Sequence, residues 1–272
     1  MKPVLALIVI PLALAICCDL GSARAVPLPR PRPSTAASAA PSTATAPDAA
    51  KPEEPPPPSA CRLRLTSDLA IAPSLPPLTG EGECAVEDVV KLEAVMLADK
   101  TRVAVTPPAT VRCSFAEAIV HWVREDLAPA ARALDGAALK SIDNYASYDC
   151  RGRNRVAGAK LSEHGKANAL DVRSLKLADG NVVKLTDPQV DKEFRESLRK
   201  ATCARFSTVL GPGSDGYHED HVHVDLAVRR PGYHAMCHWD VREPGEEPAV
   251  LAHVPLDNVP LPRPRPPLPL HQ

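Results

Sequence analysis

The chain has 272 residues, a formal net charge of −1 and 31 prolines. A charge this close to zero removes the electrostatic basis for nucleic-acid binding. Beyond the N-terminus, no apolar run approaches the roughly 20 residues needed to span a bilayer.

Residues 1–25 read as a secretory signal peptide. Lys2 supplies the positive start, Val4 to Ile16 the apolar run and Ala23-Arg24-Ala25 a small-x-small cleavage site. Cys17 follows the bulky Ile16, where a lipobox needs a small residue, which argues against lipidation. Residues 26–59 form a linker rich in Pro, Ala, Ser and Thr, and residues 242–272 a second Pro-rich tail. Neither contains enough large apolar side chains to offset the entropy of ordering, so both are expected to be disordered or polyproline-like. The octamer Val-Pro-Leu-Pro-Arg-Pro-Arg-Pro occurs at Val26 and again at Val259. It reads as a solvated spacer or as a cationic polyproline ligand for a partner or for anionic wall polymer. Residues 60–241 remain, enough for one domain with one core.

Cys17 and Cys18 leave with the signal peptide. Cys61, Cys84, Cys113, Cys150, Cys203 and Cys237 remain, an even number that suits an oxidising compartment, the periplasm or cell envelope. Pairing of neighbours is expected: 61–84, 113–150 and 203–237, each contributing about 2–4 kcal/mol. None of the six has C-x-x-C spacing, which argues against a thiolate zinc site.

In chain order, residues 85–105 are ambiguous. Val86 to Leu97 suits a helix and Arg102 to Val105 a strand, which Pro107-Pro108 should end. Ser114-Phe115-Ala116-Glu117 is a capping box, and the helix after it places Ala116, Ile119, Val123 and Leu127 on one face. Asn168 to Leu177, the turn Asp179-Gly180 and Val182 to Leu185 form a hairpin pattern. A second helix is expected over 188–200, capped by Asp187, with Phe194 and Leu198 facing inward. His221 to Val228 alternates as a strand does, with His221, His223 and Asp225 on one face and Val222, Val224, Leu226 and Val228 on the other. The expected class is α+β, a small antiparallel sheet carrying the site and flanked by helices.

Chemistry concentrates in two segments. His218-Glu219-Asp220-His221-Val222-His223 holds three histidines in six residues, and His164 and Asp171 lie upstream. A single histidine on a strand is ordinarily a surface or satisfied core residue. Three in one short strand resist that reading, because burying unpaired imidazoles is costly. Two imidazoles and a carboxylate are a standard set for catalytic zinc with water in the fourth position, and zinc can lower the pKa of that water from 15.7 to about 7.

The His-x6-Asp element followed by His-x-His resembles the zinc peptidases that group lysostaphin-type enzymes, D-Ala-D-Ala peptidases and the hedgehog domain. The run His-Glu-Asp-His-Val-His is similar to that of the penicillin-insensitive murein endopeptidases, and Cys61 to Trp239 with its Pro-rich arms resembles the bacterial extensin-like C-terminal domain family. The resemblance implies a hedgehog- or DD-peptidase-like fold, one Zn2+ bound by His164, Asp171 and His223, and hydrolysis of peptidoglycan stem peptides or cross-links. It implies His221 as general base and acid, with His218 and Glu219 as further candidates for the proton work. Arg151 reads either as a clamp for a substrate carboxylate or developing oxyanion or as a surface charge beside a disulfide. Ser162 reads either as a substrate-orienting hydroxyl or as a turn hydroxyl. Two departures stand out. Ala167 replaces the usual Gly and would be strained at positive φ. Asp220 stands where the D-Ala-D-Ala enzymes carry Glu, which favours His221 as the base. The alternative from another class is a non-catalytic wall-binding or structural module that retains the zinc site.

Overall fold

The computed structural model describes residues 57–246 apart from Ala157 and Tyr233. The signal peptide, nearly all of the Pro-rich linker, most of the tail and both octamers lie outside the described residues. The described part is α+β. Its nine strands form one mixed sheet: β1 (Ala70–Ile71), β2 (Val89–Met96), β3 (Arg102–Arg112), β4 (Leu139–Ala146), β5 (Ala169–Leu177), β6 (Val182–Lys184), β7 (Thr208–Leu210), β8 (Val222–Asp225) and β9 (Met236–His238). The order is β1-β2-β3-β4-β5-β8-β7-β9, with β6 also paired to β5. The helices are α1 (Ala60–Arg64), α2 (Cys113–Trp122), α3 (Ala128–Asp135) and α4 (Lys192–Arg205).

The sheet is not wholly antiparallel as expected. β4 pairs with β3 in parallel, as does β9 with β7. The first parallel pair follows from α2 and α3, which carry the chain back across the sheet between β3 and β4, as a parallel connection requires. Within the segment that suited a helix, Val89–Met96 is strand, and Arg102 to Val105 is strand as expected. β2 buries Val90, Leu92 and Val95, and its antiparallel partner β3 buries Val103, Val105, Ala109 and Val111. Pro107-Pro108 does not end β3. The register jumps from Leu92↔Ala109 to Ala94↔Ala104, so the prolines sit in a bulge where no ladder donor is needed.

The capping box at Ser114 does not form. α2 begins one residue earlier, and the Glu117 carboxylate takes both Arg64 Nε at 2.7 Å and Nη2 at 2.8 Å. The helix face is as read: Ala116, Ile119, Val123 and Leu127 are all fully buried. Between α2 and α3 the helix widens to a π-turn over Val123–Leu127, just ahead of Pro129, whose ring nitrogen has no proton for the carbonyl four residues back. α4 starts at Lys192, and its cap is Asp191, whose Oδ1 accepts from Phe194 N at 2.7 Å; Asp187 instead accepts from Gln189 N in the preceding turn. Phe194 and Leu198 are buried as expected.

Three disulfides join Cys61–Cys113, Cys84–Cys150 and Cys203–Cys237, spanning 52, 66 and 34 residues. Only the last matches the expected pairing. α1 packs against the start of α2, which brings Cys61 to Cys113 rather than to its neighbour Cys84. Loops of these lengths correspond to about 4 kcal/mol each in the chain-entropy account.

Candidate metal centre

β5 and β8 pair antiparallel with Asp171 directly opposite His223. Cross-strand partners project to the same face, so the two side chains meet without any loop to place them. His164 arrives from a 3-10 turn, Glu163–Lys166, that feeds directly into β5. Ser162 caps this turn, accepting from His164 N at 3.4 Å, and Gly165 is packed so tightly that a Cβ there would lie 2.8 Å from Leu161 Cδ1 and 3.4 Å from Cys84 Sγ. The turn closes on Ala167, which takes the left-handed conformation (φ 51°, ψ 35°) that the sequence flagged as strained for Ala.

The three donor atoms converge. His164 Nε2 lies 3.2 Å from Asp171 Oδ1 and 3.1 Å from His223 Nδ1, and His223 Nδ1 lies 2.9 Å from the same Asp171 oxygen. All three residues are buried. Ligands around a tetrahedral zinc at 2.0–2.1 Å stand roughly 3.3 Å apart, so the triangle fits one ion with little expansion.

The far side of each ring fixes its tautomer. His164 Nδ1 is 2.6 Å from Ser147 O, a carbonyl that can only accept, so that nitrogen carries the proton and Nε2 presents a lone pair. His223 Nε2 is 3.1 Å from Asp225 Oδ2, so it donates there and Nδ1 presents a lone pair. Two lone pairs and a carboxylate oxygen therefore face one another at 2.9–3.2 Å. Such a cluster requires a shared proton or a cation at its centre.

Without an ion the proton takes that role. Burial opposes charging of His223, but its hydrogen bonds to Asp171 and Asp225 outweigh this and raise its pKa to about 9. Burial likewise opposes ionisation of Asp171 and Asp225. The hydrogen bond from protonated His223, with the His164 ring beside it, holds Asp171 well below the usual carboxylate range, and the bond from His223 lowers Asp225.

Two further His–Asp pairs flank the cluster. His221 Nδ1 donates to Asp220 Oδ1 at 2.8 Å, which turns Nε2 towards Asp171 Oδ2 at 3.6 Å. Asp220 is held in turn by Arg173 Nη2 at 3.1 Å, and its pKa is lowered chiefly by the His221 hydrogen bond. His218 Nδ1 donates to Asp215 Oδ1 at 2.7 Å; burial pushes its pKa down despite that partner, keeping the ring neutral. Glu219 is not at the cluster. Its oxygens accept from Gly213 N and Arg242 Nη1, both at 2.9 Å, so it ties the 211–219 loop to the C-terminal segment.

A cleft of about 430 Å³ opens beside the cluster. The sheet face forms its floor, with His223 and Asp225 on β8, Thr208 and Leu210 on β7, and Met236 and His238 on β9. Arg151 and Arg153 line it from the loop after β4. Arg151 Nε donates to Asp149 Oδ2 at 3.0 Å and Nη1 to Gly152 O at 3.4 Å, leaving Nη2 available. Ser162 lines the cleft as well and caps the turn by accepting from His164 N.

The structure brings His164, Asp171 and His223 together, and the sequence reading passed over the groups behind them. Asp225 was visible only as a third polar residue on the His221–His223 face. Ser147 acts through its backbone carbonyl and Asp215 lies in a Gly-Ser loop, so neither leaves a side-chain pattern to read.

These features define a disulfide-bonded α+β domain whose mixed sheet carries a buried His–Asp–His donor cluster at the edge of a cleft. The chain belongs to the family described as extensin-like protein C-terminus, whose model matches residues 59–238. No curated protein and no solved structure matches the chain. Among the described residues, no helix is long and apolar enough to cross a membrane.

Proposed function

We propose that this domain is a zinc-dependent peptidase of the cell envelope that hydrolyses an amide bond in the stem peptides or cross-links of peptidoglycan. The relationship to lysostaphin-type, D-Ala-D-Ala and hedgehog-like domains is part of the same proposal. The supporting observation is the set of three inward-facing donor atoms on tautomers fixed by Ser147 O and Asp225. His164, Asp171 and His223 would hold the ion and leave a position open towards the cleft. A bound zinc supplies Lewis acidity and a water of lowered pKa.

The chain's own groups divide the remaining work. His221, with Nδ1 committed to Asp220, presents Nε2 to accept a proton from the attacking water and return it to the leaving amine. Arg173 fixes Asp220, and so the ring, before substrate arrives. Arg151 offers its free Nη2 to a substrate carboxylate or to the developing oxyanion. His218 borders the cleft as a neutral second proton carrier.

Muropeptides incubated with purified protein, with and without chelator, test the proposal. Zinc-dependent release of a stem or cross-link fragment is the expected result. Stoichiometric zinc with wall pelleting but no cleavage would refute the peptidase reading and favour a wall-binding module.

A further inference from the structure

The carboxylates lining the cleft are all engaged. Glu163 accepts from Asn168 Nδ2 at 2.7 Å and meets Lys166 Nζ at 3.1 Å. Asp215 is taken by His218 and Asn154, and Asp225 by His223 and the Ala227 amide. Arg229, on the opposite side from Arg151, is different. Its Nη2 donates to Thr208 Oγ1 at 2.6 Å and its Nε to Ser207 O at 3.3 Å, both neutral acceptors. Among the described residues no carboxylate pairs with it, although it lines the cleft and is half-buried. The guanidinium is thus held in place while its charge remains uncompensated, and three of its five N–H donors stay free.

Strand order fixes where that charge stands. Thr208 is directly opposite Asp225, and Asp225 is the carboxylate behind His223. Adjacent strands lie about 4.8 Å apart and an extended peptide advances about 3.3 Å per residue, so Arg229 reaches a group one or two residues from the scissile bond. Arg151 enters from the loop after β4, across the β5–β8 pair that carries Asp171 and His223. The donor cluster therefore lies between Arg229 on one side and Arg151 with Arg153 on the other.

We propose that Arg229 is a second carboxylate subsite, so that the preferred substrate is a stem peptide bearing a free carboxylate on each side of the bond to be cut. This rests on the peptidase reading and deepens it by naming the substrate class. Guanidinium–carboxylate recognition is bidentate and geometrically selective, whereas a primary carboxamide offers neither the charge nor two acceptors.

The test uses zinc-loaded full-length protein and synthetic stem peptides in which one carboxylate at a time is converted to a primary carboxamide. In the wild type, one amidation within two residues of the scissile bond is expected to lower kcat/KM roughly 10- to 100-fold, the scale of a charged hydrogen-bonded contact. In Arg229→Gln the ratio between the acid and amide forms of that peptide should fall to about one, and Arg229→Lys should give an intermediate ratio. Zinc content and melting temperature are measured on each variant, and Arg229→Lys carries the test if Arg229→Gln loses zinc. Equal tolerance of every amidation by the wild type, or an undiminished acid preference in the variants, would overturn the subsite. If no peptide is cleaved at all, the peptidase reading fails on its own. The subsite is then decided by calorimetric Kd values for the same acid and amide pairs, and it falls if their difference does not depend on Arg229.

Discussion

Replacing Asp225 by Asn tests whether the proton arrangement behind His223 governs metal binding. In the wild type, Asp225 Oδ2 accepts from His223 Nε2 at 3.1 Å and Oδ1 from Ala227 N at 2.9 Å. An Asn that keeps its oxygen on the Ala227 amide must point its NH2 at His223 Nε2, and two donors then meet. The ring escapes by moving its proton to Nδ1, the atom that lies 2.9 Å from Asp171 Oδ1 and 3.1 Å from His164 Nε2. There the proton satisfies the cluster and an incoming ion must displace it. Loss of such an orienting carboxylate costs about 10- to 100-fold in metal affinity, equivalent to about 1.4–2.7 kcal/mol. Competition against a chromophoric chelator at neutral pH measures it, with Asp220→Asn as a comparison that leaves His223 untouched. An Asp225→Asn protein that binds zinc within twofold of wild type would refute the tautomer argument.

His221→Ala should lower kcat/KM on muropeptides by about 10²–10⁴-fold while retaining one zinc per chain; full turnover in that variant would remove His221 from the proton transfer. In the metal-free protein the His223 pKa is raised to about 9, so its contribution to stability is complete below the unfolded imidazole value near 6.5 and is lost as pH rises through 9. Thermal melts in chelator should therefore fall across that window while melts of zinc-loaded protein should not. Because zinc displaces the same proton, zinc affinity should rise roughly tenfold per pH unit up to that point; a pH-independent affinity would contradict it. Replacing both Cys84 and Cys150 by Ser should cost about 4 kcal/mol in denaturant unfolding and also weaken zinc binding. The second effect follows because Gly165, beside His164, packs against Cys84 Sγ. Unaltered zinc affinity in that variant would show that the turn holds its shape without the disulfide.

The residues legible in advance were those governed by short-range geometry. Strand alternation put His223 and Asp225 on one face and Val222 and Val224 on the other, but the strand stops at Asp225 and Val228, expected on the aliphatic face, is fully exposed; the hairpin after Asp171 was marked by Asp179-Gly180. The disulfide pairing was not legible, because it depends on which elements pack together rather than on spacing. Neighbouring cysteines were the natural guess, but α1 packs on α2 and joins Cys61 to Cys113, while Cys84 sits beside the Glu163–Lys166 turn and meets Cys150. The capping box failed for a similar reason: Arg64, 53 residues away, claims Glu117 more strongly than the helix start does. Glu219 shows the limit of adjacency, since it sits beside His218 in the chain while its carboxylate is committed to Gly213 and Arg242.

Because Asp171 and His223 occupy the same rung of the β5–β8 ladder, a slip of one residue would turn the histidine into the hydrophobic interior and offer Val222 or Val224 to the cleft instead. No half-assembled centre is available to a misaligned chain. Occupancy by an ion would thus report that these two strands have zipped in the right frame, and would reward only the molecules in which they have.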